Sequence, residues 1–302
     1  MKFVYVLISD GMDYYCEQAM ASFFSLRKNN HDAEIVVLVD KDTMQSIQCR
    51  HAVVMDMADD IKVVDVSDHY DNMQRSRFIK TSLTTHVEGD FVFLDIDTLI
   101  LRPFPDMKSL GIQNIGAVLH AHGNSTKSIG RWKDYLNKTG KKGWDCKAYY
   151  NSGVMLVRNT DVSVKFFDEW HSLWKYETEK FGIRIDQPSM SQAEINNPGT
   201  FVEIDGSFNC QPEGIMSKRY MFNPTVFHYF AKINEKHHFP LRKPSVLKHI
   251  RTAGIDDGIL KIIDNPQLYY FNNWKVLSGK DSKFFDSLLC RLSRKIYFMF
   301  GS

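Results

Sequence analysis

Short apolar runs and amphipathic stretches alternate along the first hundred or so residues. Residues 4–8 are nearly continuously apolar (Val4-Tyr5-Val6-Leu7-Ile8), as a strand buried on both faces is. A loop with Asp10, Gly11 and Asp13 follows, and Ala19, Phe23 and Leu26 then recur at helical spacing in a helix reaching about Asn29. Residues 35–39 form a second apolar run ending at Asp40, and residues 63–66 a weaker third. A helical stretch over 72–87 leads into the apolar run 91–94. Strands separated by helices predict an α/β fold: a mostly parallel, Rossmann-like mixed sheet with helices on both faces. Ligands of such sheets bind beyond the carboxyl ends of the strands. Asp10, Asp40, Asp65 and the residues after Leu94 occupy those ends.

The pattern loosens afterwards. Residues 115–119 and 154–157 read as strands. Residues 120–147 are polar and predict a long loop with a short helix over 132–136. A helix over 161–181 presents Phe166, Phe167, Trp170, Leu173 and Trp174 on one side and stops at Gly182. Residues 1–240 read as one domain and 241–302 as a helical C-terminal extension.

Composition narrows the function classes. The 302 residues are 43% hydrophobic and 25% charged, ordinary for a globular chain, and the formal charge of +2 carries no nucleic-acid signature. The 5 cysteines are widely spaced with no C-x-x-C pair, which predicts free thiols in a reducing compartment. The first apolar run is too short for a signal sequence and no run is long enough to span a bilayer. A cytoplasmic location is therefore expected, and the N-x-[ST] triplets at Asn124 and Asn137 read as chance matches.

The densest chemistry lies in Phe93-Leu94-Asp95-Ile96-Asp97-Thr98. In an extended strand, residues i and i+2 point the same way, so Asp95 and Asp97 would present a carboxylate pair at a strand end. Mg²⁺ and Mn²⁺ favour such oxygen ligands and share them with phosphates. A lone D-x-D is a short motif that equally fits a solvated strand end.

Further motifs accompany it. Tyr150-Asn151-Ser152-Gly153 opens an apolar strand, Asp186-Gln187 precedes Pro188, Phe208-Asn209 follows, and Phe227-His228-Tyr229 comes later. In this order the set resembles the GT-A nucleotide-sugar transferases, nearest to glycosyltransferase family 8, over residues 1 to about 230. The resemblance implies a metal-dependent glycosyltransferase, with Asp95, Asp97 and His228 holding Mn²⁺ (or Mg²⁺). It implies a UDP-sugar donor, a saccharide or lipid-linked acceptor, and retention of configuration. The family includes enzymes of bacterial surface polysaccharide and lipopolysaccharide synthesis. Asp186 and Gln187 are then the candidates for the reactive face of the sugar, as a carboxylate nucleophile or as an amide supporting front-side attack; the residues do not choose. Asn151, Ser152, Gly153 and Asn209 would lie beside the sugar, Ile96 beside the nucleotide, and Asp10 and, more weakly, Asp65 beside the base or ribose.

Arg77 and Lys80 lie three apart on the helix before the acidic pair and share a face, which suits a phosphate or sugar hydroxyls as well as solvent; Arg75 points elsewhere. Asp10 also suits a turn before Gly11, and Asp186 also suits a helix N-cap, with Pro188 pushing Gln187 towards extended backbone. His120 and His122 read as a strand end entering an acceptor loop, in preference to a metal pair. One departure stands out: after His228 the family continues with a glycine and a lysine-proline-tryptophan segment, whereas this chain reads Tyr229-Phe230-Ala231-Lys232-Ile233-Asn234. Lys232 or Lys236 would have to serve instead.

Residues 280–302 combine net positive charge with Phe284, Phe285, Leu288, Leu289, Leu292, Ile296 and Tyr297 near helical spacing. That pattern fits peripheral contact with the inner face of the plasma membrane, or a helix packed on the domain. Two other activities fit less well. A haloacid dehalogenase-type phosphohydrolase expects its threonine two places beyond the second aspartate, and Thr98 follows Asp97 directly. A sugar nucleotidyltransferase expects a basic glycine-rich loop where Ser9-Asp10-Gly11-Met12-Asp13 is acidic. A non-catalytic nucleotide-sugar-binding protein would carry the same motifs.

Overall fold

A computed structural model describes residues 1–50, 52–123, 125–141, 148–212, 216–230 and 232–271. The basic tail 280–302, Cys146 and Cys290 lie outside the described residues; Cys16 and Cys210 are buried free thiols.

The strands are β1 (Lys2–Val6), β2 (Glu34–Val39), β3 (Asp60–Val63), β4 (Phe91–Leu94), β5 (Thr98–Ile100), β6 (Ile115–Leu119), β7 (Tyr150–Val157), β8 (Phe201–Glu203) and β9 (Val226–His228). The helices are α1 (Tyr15–Asn29), α2 (Lys41–Arg50), α3 (Ala52–Met57), α4 (Asn72–Thr81), α5 (Leu83–His86), α6 (Ser125–Thr139), α7 (Asp161–Phe181), α8 (Gln187–Asn196), α9 (Pro244–Ala253), α10 (Asp257–Asp264) and α11 (Gln267–Phe271). One sheet runs β3-β2-β1-β4-β7-β6-β8, and β5 pairs with β9 in a small second sheet. In the large sheet only β7 is antiparallel to its neighbours.

The continuous apolar runs are explained by helices on both faces. From β1 outward, Phe3, Tyr5 and Leu7 join one core with Ala19, Phe23 and Leu26 of α1, while Val4, Val6 and Ile8 join the other with Phe166, Phe167 and Trp170 of α7. Each such side chain, fully enclosed, is worth roughly 1.5–3 kcal/mol in transfer from water. Leu241, Leu247, Ile250, Ile259, Ile262 and Ile263 belong to the same core as α1, so the chain on both sides of residue 240 packs together. Among the described residues, no helix is long and apolar enough to cross a membrane.

Several expectations shift. The weak third strand is Asp60–Val63, not 63–66: its pairing with β2 sets its place at the sheet edge, while Val64 and Val66 turn into the core beyond it. The strand expected over 154–157 begins at Tyr150, because its pairing with β6 reaches Tyr150 and the Asp95 N–H donates to the Gly153 carbonyl at 2.8 Å. The helical stretch 72–87 breaks at Ser82 into α4 and α5. Most of the expected 120–147 loop is α6, whose polar composition belongs to its outer face; Trp132 and Tyr135 bury against Tyr149 and Ile183. Helix α7 matches expectation, with Thr160 capping its start and Gly182 closing it at φ 66°.

Helix α4 starts where a capping box fixes it: the Asp71 carboxylate accepts from Gln74 N–H at 3.0 Å, and Gln74 Oε1 accepts from Asp71 N–H at 3.0 Å. This start sets which side chains face the strand ends.

A buried ion pair ties α9 to α1. Glu17 is 0% exposed, and Arg251 meets it through Nε at 2.6 Å and Nη2 at 3.1 Å. Arg251→Ala removes both charge-assisted bonds from an enclosed carboxylate. Urea denaturation should show the variant less stable by about 3 kcal/mol, with Arg251→Lys in between; unchanged stability would mean that the pair holds nothing.

Candidate active site

The acidic pair is presented by a turn. Strand β4 ends at Leu94, Thr98 Oγ1 donates to the Asp95 carbonyl at 2.7 Å, and β5 begins at Thr98. The sequence pattern predicts strand alternation; instead the two carboxylates converge through a turn. Across the small sheet Thr98 pairs with His228, and Tyr229 N–H donates to the Asp97 carbonyl at 3.1 Å. Asp95, Asp97 and His228 each offer a ligand atom, all within 4.8 Å of one another.

The imidazole is preset. Gly153 N–H donates to Asn151 Oδ1 at 2.9 Å, and Asn209 Nδ2 donates to the same oxygen at 2.9 Å. Asn209 Oδ1 therefore faces His228 Nδ1, at 3.0 Å, and accepts its proton. Nε2 is left with its lone pair on the Asp97 side, where it lies 3.3 Å from Oδ1. A backbone amide thus fixes a tautomer two side chains away. Gly153 is a steric necessity: a Cβ there would lie 2.3 Å from His228 Cε1 and 2.8 Å from Asp95 Oδ2. Two carboxylates and an imidazole with a fixed lone pair fit a divalent cation that keeps positions open for phosphate oxygens.

Beside this cluster, Asp186 sits at the start of α8. Its side chain makes no cap bond; it turns inward to Arg77 Nε at 3.1 Å, Lys80 Nζ at 3.6 Å and the Ser152 hydroxyl, which donates at 2.7 Å. Burial alone would raise its pKa; Lys80, Arg77 and Ser152 bring it down to about 2. Lys80 also donates to both Asp95 oxygens, at 2.9 and 3.2 Å. Arg77 and Lys80 do share a face turned to the site, while Arg75 pairs with Asp40 and Asp42. Gln187 begins the helix, contrary to the extended backbone expected before Pro188. Its Nε2 donates to the Tyr150 carbonyl at 3.0 Å and lies 3.3 Å from His120 Nδ1, and its Oε1 meets Arg131 of α6.

A cavity of about 180 Å³ opens on this cluster, lined by Val6 at the end of β1, Ile8 just beyond it, Tyr15, Asn72, Met73, Ser76, Arg77, Asp95, Ile96 and Asp97. The sequence reading missed Tyr15, Asn72, Met73 and Ser76. The spacing of 73, 76, 77 and 80 is one helical face, a signal readable once α4 is known to cross the strand ends. Other candidates lie apart from the cavity lining. Asp10 is exposed and accepts from Met12 N–H at 2.8 Å and Asp13 N–H at 3.0 Å, a turn role; Asp65 is exposed. Asn209 is 0% exposed and Asn151 is buried, so both stand behind His228, not on an open face. Lys232 and Lys236 are exposed, and Arg242 holds the Lys232 carbonyl at 2.9 Å. His122, buried and unlike His120 remote from Gln187, accepts from Gln211 N–H at 3.0 Å; burial and then Arg219 lower its pKa to about 4.

A sequence profile described as a nucleotide-diphospho-sugar transferase matches residues 29–249. No curated protein matches the chain by sequence. Among solved structures, the galactosyltransferase LgtC with donor and acceptor sugar analogues is 17% identical at a TM-score of 0.52, over 78% of this chain and 90% of that one. An active-site mutant of LgtC with glutamate in place of a glutamine is 16% identical at a TM-score of 0.51, over the same 78% and 90%. The glycosyltransferase GlyE of Streptococcus pneumoniae is 17% identical at a TM-score of 0.51, over 88% of this chain and 62% of that one. These likenesses are of fold, and with the sheet order they make the fold GT-A.

Two outcomes follow from the geometry. Gly153→Ala forces a methyl group between His228 and Asp95, so Mn²⁺ binding, titrated by electron paramagnetic resonance, should weaken at least about tenfold; unchanged binding would mean that the cluster does not hold the ion. Asp186 has a folded pKa depressed from 3.8 to about 2. Its contribution, about 2 kcal/mol by linkage, is present above the unfolded value and is lost as pH falls from about 4 through 2. Denaturation measured across that window should show a steep loss in the native protein and a flatter one in Asp186→Asn; parallel curves would contradict the assignment.

Proposed function

This chain belongs to the nucleotide-diphospho-sugar transferase family, and we propose that it moves a hexose from a UDP-sugar to a saccharide or lipid-linked acceptor, with Mn²⁺ (or Mg²⁺) bound and with retention at the anomeric carbon. The observation that carries the reading is the convergence of ligand atoms of Asp95, Asp97 and His228 within 4.8 Å, with both aspartates lining a cavity. LgtC, described as a galactosyltransferase seen with donor and acceptor sugar analogues, supports the hexose and saccharide. The family resemblance supports surface polysaccharide or lipopolysaccharide synthesis as the setting.

Breaking the bond between the anomeric carbon and the diphosphate puts negative charge on the leaving group, and a cation on Asp95, Asp97 and His228 would neutralise it. Arg77, held through Nε by Asp186, lines the cavity and adds a fixed positive charge for the same oxygens. Asp186 itself is a poor nucleophile. It is 3% exposed, ionised down to a pH of about 2, paired with Arg77 and hydrogen-bonded by Ser152, so it is an enclosed and weakly basic carboxylate. Double displacement through Asp186 is therefore disfavoured. Gln187 is tied at Nε2 to the Tyr150 carbonyl, and its amide oxygen accepts from Arg131 of α6. We assign that oxygen to the reactive face of the sugar, where its dipole would favour an oxocarbenium-like centre while the acceptor attacks from the leaving-group side. The LgtC glutamine replaced by glutamate, described as an active-site change, is in keeping with this assignment.

The test is release of nucleotide from a panel of nucleotide sugars, with Mn²⁺ or with chelator. One UDP-hexose should be turned over with Mn²⁺, with kcat/KM lowered at least about a hundredfold by chelator or by Asp97→Ala. If no donor is hydrolysed or transferred and no nucleotide binds with Mn²⁺, the reading is wrong.

A further inference from the structure

Lys80 sits where a metal-binding site would not be expected to tolerate it. Its side chain is 2% exposed, its ammonium lies 5.0 Å from the Phe93 ring centroid, and it donates to both oxygens of Asp95, at 2.9 and 3.2 Å. An ion ligated by Asp95 must take or share an oxygen that the ammonium already holds. At bonding distance the two positive charges would stand a few ångströms apart, shielded from water, where like charges repel strongly.

The structure also supplies a place for the ammonium to go. Asp186 Oδ2 lies 3.6 Å from Lys80 Nζ, just outside hydrogen-bond reach. Arg77 pairs with the other oxygen, Oδ1, and among the described residues the side-chain hydrogen bond to Oδ2 is that of the neutral Ser152 hydroxyl, at 2.7 Å. A carboxylate oxygen has room for a second donor. A short rotation of the flexible lysine stem closes that gap, a movement that the rigid fork of an arginine would make poorly.

We propose that Lys80 is a resident counter-cation that a divalent metal must displace from Asp95, and that its retreat onto Asp186 couples metal loading to the clamping of the carboxylate beside the sugar. This inference rests on the reading of Asp95, Asp97 and His228 as a metal site. Lys80 then acts on the reaction through its neighbours as a positioning residue. Without metal, Lys80 balances Asp95. With metal, both Arg77 and Lys80 hold Asp186, so the face that receives the sugar is set only in the loaded protein.

Mn²⁺ binding to the full-length protein, titrated without nucleotide by electron paramagnetic resonance, tests this directly. Lys80→Met should bind Mn²⁺ at least about tenfold more tightly, since the competing charge is gone, although its transfer activity falls. Asp186→Asn should weaken Mn²⁺ binding in the native background, where it removes the refuge of Lys80, and weaken it far less when combined with Lys80→Met. A folded Lys80→Met with unchanged or weaker affinity, or strictly additive effects of the two substitutions, would overturn the proposal. The unaltered protein gives a second measurement should that variant fail to fold. Its crystal structure with Mn²⁺ should place Lys80 Nζ within hydrogen-bond distance of Asp186 and off at least one Asp95 oxygen; both Asp95 contacts retained would overturn it. Failure to bind Mn²⁺ at all, with Asp97→Ala indistinguishable from the native protein, would bring down the metal-site reading and this inference with it. Intact Mn²⁺ binding with no effect of Lys80→Met removes only the role of Lys80.

Discussion

Strand β7 passes so close to the ends of β4 and β9 that no Cβ fits at Gly153. That approach lets two segments far apart in sequence place Asp95, Asp97 and His228 around one point. It also puts the Gly153 amide on Asn151, and so passes orientation through Asn209 to the imidazole. The sheet makes the approach affordable: β7 is held by ladders to β4 and β6 on both sides, so its polar opening residues cannot drift away. A ligand set built on paired strands is more exact than one built on loops, and here the one loop-like element, the turn from Asp95 to Thr98, is pinned by the Thr98 hydroxyl.

The second organising feature is charge held out of water. Asp95, Asp97 and Asp186 face Lys80 and Arg77 at short range, a set with one uncompensated negative charge before any cation arrives. Buried ions are expensive unless paired and hydrogen-bonded, and an arrangement of this kind is kept for what it does more than for stability. It holds Asp186 ionised, which argues for a role in orienting the cations around it. It also leaves an excess of negative charge suited to a dication, which the diphosphate of a donor would in turn offset.

The elements after β9 are part of the same body of packing. Helices α9 and α10 place Leu247, Ile250, Ile259, Ile262 and Ile263 in the core that surrounds α1, and Arg251 reaches Glu17 and the carbonyl of Asp13. The loop from Ser9 to Tyr15 is thereby braced from behind, and that loop leads into Tyr15 on the cavity wall. On the opposite side, α6 covers Tyr149 and Ile183 and sets Arg131 against Gln187. Tyr15 and Gln187 are thus both supported by chain outside the alternating first half.

The sequence by itself determined the layered α/β architecture, because apolar runs of strand length and helical spacing follow from backbone geometry alone. It also marked Asp95, Asp97, Asp186, Gln187 and His228 as polar residues at element ends. It did not determine that Asp95 and Asp97 converge through a turn, that Asn209 serves His228, or that Lys80 bridges Asp95 and Asp186. Nor did it reveal the full length of α6, of which only 132–136 was expected, because its exposed face is too polar to stand out. Those features depend on distances between segments remote in the chain, and such distances are set by which strands pair and how closely they pack. Periodicity reports what each segment buries; only the tertiary structure decides which side chain it is buried against.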